Sequence, residues 1–156
     1  MSWLSAMFGN DDGNPGVQAP GEPDLPFTDR VTASLNALAA DARSAGAVIS
    51  TAAFSQLRSI DDVIRPLLAY IVGNPVPITE QIAIESLVSD YVPTSLRLFL
   101  LLPPADQVDG GPADLTLQDQ FTALEKNARQ LSSSIIVTAA SALESHAIFL
   151  QNKFNG

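Results

Sequence analysis

The segment DLTLQDQFTALEKNARQLSSSIIVTAASALESHAIFLQNK, residues 114–153, decides the fold. Leu117, Phe121, Leu124, Ala128, Leu131, Ile135, Ala139, Ala142, His146 and Phe149 follow one another in steps of three and four residues. Such steps lay side chains along one stripe of an α-helix, whereas a half-buried strand would alternate with period two. Asp114 or Thr116 is a suitable N-cap, and the helix is expected to run to about Lys153.

The same spacing extends upstream. From Thr28, Val31, Leu35, Leu38, Ala42, Ala45, Ile49 and Ala52 describe one face of a long first helix, rich in small residues that allow close approach. A second helix is expected from Ser59 or Asp61, with Ile64, Leu67, Leu68 and Ile71, closing at Gly73-Asn74-Pro75. Pro66 could instead lie near its start. Thr79 opens a third segment, and Pro93 predicts a kink or break near Val92, because proline disfavours the helical region for its predecessor. The run SLRLFLLL, residues 95–102, is apolar all round and reads as a central helix packed on most sides. PPADQVDGGPAD, residues 103–114, is a loop. The expected fold class is all-α: an antiparallel bundle of four to five helices, the long first and last clasping a shorter central pair.

Composition divides the chain. Residues 1–27 hold four of the 11 Pro, four of the 9 Gly, four of the 17 acids and no Lys or Arg. Residues 10–27 therefore read as a flexible acidic linker, disordered because it lacks apolar surface to bury. Residues 28–156 form the bundle domain, with a net charge of 8 minus 13, or −5, out of −9 for the chain. That balance opposes phosphate-backbone binding and argues against nucleic acid as a partner. Residues 1–9 are an apolar island, with Trp3, Leu4, Met7 and Phe8 on one helical face. The island lacks the basic start and longer apolar core of a secretory signal, so a cytoplasmic protein is expected. No consecutive run reaches the roughly 18 apolar residues of a membrane span. Trp3, Leu4, Met7 and Phe8 could dock in a partner's groove, dip into a membrane surface or fold onto their own domain. Asp11 and Asp12, immediately downstream, disfavour anionic lipid and turn the expectation towards protein docking.

The string SLVSDYVPTSLRLFLLL, residues 86–102, resembles the XpaC-like family, associated with 5-bromo-4-chloroindolyl phosphate hydrolysis, in which a helix ends in a Tyr-Leu-Pro-Thr-Thr-like box before a Leu-rich helix. Here Tyr91, Val92, Pro93, Thr94 and Ser95 occupy the box, with Arg97 and Leu98 next. IDDVIRPLLAYIVGNP, residues 60–75, is similar to the family's preceding helix. The chain departs from the pattern at Asp90, where the family often has a second aromatic, and in its short acidic loop after Leu102. The resemblance implies association with a helical TelA-type toxic-anion-resistance protein in an envelope or stress-response setting. It supplies no catalytic residues to carry over.

The residues offer little for phosphate-ester chemistry, which needs a nucleophile or activated water, an acid, and positive charge or metal. Absence of Cys excludes disulfides, thiolate zinc sites and cysteine nucleophiles. His146, the single histidine, lies on the apolar stripe and reads as a core or boundary residue. Asp61 and Asp62 point about 100° apart on a helix and suit its N-terminal dipole better than a metal. Asp106, Asp109 and Asp114 around Gly110-Gly111 lack EF-hand spacing and read as a solvated loop. Arg97 could fork onto an anion or pair with Asp90 or Glu85. Pro93 and Thr94 suit a helix junction with Tyr91 at the surface, or a kink that opens a docking groove.

The expected function is a non-catalytic adaptor without cofactor or metal, its partner-binding residues being Trp3, Leu4, Met7, Phe8, Tyr91, Pro93, Thr94 and Arg97. Peripheral membrane contact and homo-oligomer formation are compatible with it. A metal-assisted hydrolase using Asp61, Asp62 and Arg97, and a self-assembling scaffold in which the long first and last helices pair between copies, are the alternatives.

Overall fold

A computed structural model describes residues 25–155. The expectations for Trp3, Leu4, Met7, Phe8 and most of the linker lie outside the described residues. Within them the fold is all-α, with α1 Phe27–Ser44, α2 Thr51–Val72, α3 Ile78–Ser86, α4 Val92–Leu100 and α5 Pro112–Asn155. A π-turn, Leu87–Tyr91, joins α3 to α4, and a short 3₁₀ turn, Pro104–Asp106, precedes α5.

Cross-links between helices fix the topology. Arg30 meets Glu85 and Ser34 meets Ser89, so α1 and the α3–α4 rod run parallel. Ser50 meets Asp114 and Gln56 meets Thr122, so α2 and α5 also run parallel. Arg65 reaches back to Asn36, which sets α1 and α2 antiparallel. The result is an up-down-up-down bundle. Its core joins Val31 and Leu35 of α1, Ile60 and Ile64 of α2, Ile84, Leu87, Val88 and Val92 of the rod, and Phe121 of α5.

Several boundaries differ from the sequence expectation. The first helix ends at Ser44 instead of continuing to Ala52, and the second begins at Thr51 instead of Ser59 or Asp61. Gly46 weakens helix continuation, and Ser50 starts a new helix by accepting the Ala53 N–H on its hydroxyl. Ala45 and Ile49 stay buried across the turn, so the apolar spacing conceals the break. Asp61 and Asp62 therefore sit in mid-helix, away from the N-terminal dipole, and Pro66 is interior. At Val92 the chain does not break. Its N–H bonds to the Leu87 carbonyl five residues back, and the widened turn accommodates Pro93. The Leu-rich helix is one-sided: Val92, Leu96 and Phe99 are buried while Leu98 and Leu101 face outward. The last helix starts at Pro112, two residues before Asp114.

Candidate interaction surface

The 44 residues of α5 span about 66 Å at 1.5 Å per residue, far more than the other helices can cover. Leu117, Phe121, Ala128 and Ile135 are buried against the bundle. Beyond Ile135 every described residue of the helix is exposed. Residues 136–155 thus project as an uncovered helix about 30 Å long. The bundled half supplies the nucleus, and each further residue adds one backbone bond, aided by Ala139, Ala140, Ala142 and Ala147.

The projecting half is not polar. Ile136, Val137, Leu143, Ile148, Phe149, Leu150 and Phe154 all stand open, Leu143 and Phe154 at 72% and 73%. Charge is sparse, with only Glu144 and Lys153 besides His146. The expectation of a core or boundary His146 is corrected: it is exposed, its ring stacked on Phe149 at 6.0 Å with 19° between the planes. Ala139, Ala142 and Phe149, on the predicted core stripe, are likewise uncovered because the other helices end short of them. Among the described residues α5 alone is long and apolar enough to cross a membrane, an 18-residue window reaching a mean hydropathy of 1.4 with 6% of it buried.

The box residues occupy a different surface. Tyr91 is half exposed at the end of the π-turn. Thr94 does not cap a helix; its hydroxyl donates to Asp90 Oδ1 at 3.2 Å. Pro93 and Arg97 line a shallow cleft with Asp41, Val48 and Leu101, between the end of α1 and α4. Arg97 pairs with neither expected acid: Asp90 takes Thr94, and Glu85 takes a two-pronged bond from Arg30 at 3.1 and 3.0 Å. The Arg30 guanidinium, bonded to Glu85 and carrying the opposite charge, holds that carboxyl below the ordinary carboxylate range.

Asp61 lies elsewhere again. It accepts Arg65 Nε and lines a cleft of about 270 Å³ between α1 and α2, beside Arg43 and Arg58. Asp61 and Arg97 are therefore not brought into one cleft. No group of three His, Cys, Asp or Glu side chains that could hold a metal occurs among the described residues.

A buried polar latch escaped the sequence reading. Asp114, 1% exposed, accepts Ser50 Oγ at 2.8 Å, the Gly110 N–H at 2.9 Å and Gln118 Nε2 at 2.9 Å. It ties the start of α5 to the start of α2 and to the loop before it. Asp114 belongs to this latch and is not part of a solvated acidic loop. The Ser50 N-cap beside Gly46 was the available sequence signal; its partner 64 residues away had none.

No protein-family model, curated protein or solved structure matches this chain.

Proposed function

We propose that this protein is a non-catalytic interaction adaptor whose bundle holds out the last twenty described residues of α5 for a helical partner. The observation that carries the reading is the seven large apolar side chains exposed beyond Ile135. Burying each would contribute about 1.5–3 kcal/mol when complete. Even half that return, roughly 5–10 kcal/mol, is comparable with the net stability of a small domain. Contiguous apolar surface of this kind marks interaction sites.

A helical protein partner suits the segment better than a bilayer core. Glu144 and His146 lie among the apolar residues, and a carboxylate near the centre of a span costs about 3 kcal/mol. The adaptor reading accords with the XpaC-like resemblance and its helical TelA-like partner, and with a cytoplasmic protein. Tyr91, Pro93, Thr94 and Arg97 offer a second, shallower contact, and Trp3, Leu4, Met7 and Phe8 a third.

Pull-downs with the full chain, a chain ending at Ile135 and a chain lacking residues 1–9 test the proposal. Loss of partners with the shortened α5 is the expected result. An unchanged set of partners would refute a docking role for this helix.

A further inference from the structure

On the face of α5 that carries Thr122, Glu125, Arg129 and Ser133 the helix is polar where it lies beside the bundle, Glu125 and Arg129 forming an ion pair at 2.8 Å. Continued towards the C-terminus, that face becomes apolar where the projection begins: Ile136, Ala140, Leu143, Ala147, Leu150 and Phe154. The steps are four, three, four, three and four, the repeat of a helix-pairing seam. This seam lies about 100° around the helix from Ile135 and the stripe that packs in the bundle. It contributes nothing to the monomer's core, since all six residues are exposed.

We propose that the projecting half of α5 pairs antiparallel with the same segment of a second copy, about a two-fold axis at the level of Ser145. The inference rests on the docking role proposed for this helix and names its partner. In this register Ala140 faces the second copy's Leu150, Leu143 faces its Ala147, and Ile136 faces its Phe154. Each relation holds in both directions, as an isologous two-fold contact requires. Every central layer sets one small residue against one large one, allowing close approach without a void. A parallel pair would stack Ala on Ala and Leu on Leu in alternate layers. With Ile136 set against the second copy's Phe154, the two bundles sit at opposite ends of the pair.

The area sets the strength. A helix about 30 Å long and about 11 Å across offers roughly 1,000 Å² of curved surface. Covering a third to a half of it on each copy gives roughly 700–1,000 Å² in all, at the small end of specific interfaces. The dimer is accordingly concentration-dependent. Glu144 lies beside its symmetry mate on one flank of the axis and His146 beside its own on the other. The like-charged carboxylates weaken the pair.

Because the chain has no cysteine, single-Cys variants of the full protein read the register directly. Sedimentation equilibrium should show a monomer–dimer equilibrium in the micromolar range. Leu143→Glu should weaken it at least tenfold with helicity retained, and Glu144→Gln should tighten it severalfold. Mild oxidation should leave Ile136→Cys alone at the level of an Asp119→Cys control, since the two copies of residue 136 lie about 27 Å apart, and should cross-link a mixture of Ile136→Cys and Phe154→Cys well above it. Monomer at all concentrations, a dimer indifferent to Leu143→Glu, or preferential cross-linking of Ile136→Cys to itself would each overturn the proposal. A monomer that floats with phosphatidylcholine vesicles would overturn it in favour of lipid. A monomer whose pull-down partners still require residues 136–156 would overturn the second copy and leave the docking reading standing; partners indifferent to those residues would remove both.

Discussion

Removing the Asp114 carboxylate gives the most demanding test of how this bundle is held together. Asp114→Ala takes away the acceptor for the Ser50 hydroxyl, the Gly110 N–H and the Gln118 amide. Gln118 and the exposed Gly110 can turn to water, but the Ser50 hydroxyl is buried. The buried Ser50 donor left without a partner costs about 1–3 kcal/mol and the two wetter bonds about 0.5 kcal/mol each, so the loss should total about 2–4 kcal/mol. Asp114→Asn should cost about half as much, because its amide would set a donor against the Gly110 N–H. Ser50→Ala should cost about 2–3 kcal/mol, of which about 1 kcal/mol is the N-cap bond to Ala53. Both losses pass through one hydrogen bond of 2.8 Å, so the double variant should be less destabilised than the sum by about 1–2 kcal/mol. Urea unfolding followed by circular dichroism measures all four proteins, with lowered midpoints at unchanged slope expected. Single-variant losses that add to within about 0.5 kcal/mol would show the two residues to be energetically independent and refute the latch.

Two further predictions concern local features. Glu85, whose carboxyl is held below its ordinary value by Arg30, contributes stability that is complete above about pH 4.3 and is lost as pH falls through its lowered folded value. The pair is partly exposed, 45% and 35%, which limits the effect to about 0.2–1 kcal/mol; a gap between wild type and Glu85→Gln that persists undiminished to pH 2.5 would contradict it. Gly110 adopts φ +80°, so Gly110→Ala should cost about 1–2 kcal/mol. Gly73→Ala, at φ −103° with open space around the added carbon, should be neutral or slightly stabilising, and equal thermal shifts for the two would argue against the strain.

Helical class was legible because Val31, Leu35 and Leu38, and again Leu117, Phe121 and Leu124, keep one face through several turns. Boundaries were less so, for a physical reason. Ala45 and Ile49 pack in the core from a turn as they would from a helix, so spacing alone carried the first helix past its end. Pro93 does not break the rod because a proline missing its N–H is costly only where the helix needs that donor, and the π-turn shifts which donors are needed. Periodicity identified the apolar stripe of α5 but not what covers it: Ile135 and Phe149 share a stripe, yet only Ile135 has a bundle beside it. The candidate surface was hidden for that reason, while Pro93 and Arg97, conspicuous in sequence, line only a shallow cleft and Tyr91 stands outside it.

The π-turn also acts as a phase shifter. One extra residue in a turn delays every later side chain by about 100°. Without it, Val92, Leu96 and Phe99 would be rotated about a quarter-turn away from Ile84 and Val88 and could not share their core. The insertion keeps two short amphipathic pieces, each with its own register, aimed at one interior. Deleting a single residue between Leu87 and Tyr91 would therefore regularise the backbone with both halves still in phase, whereas forcing the full-length segment into an unbroken α-helix would turn the second half's apolar face away from the core.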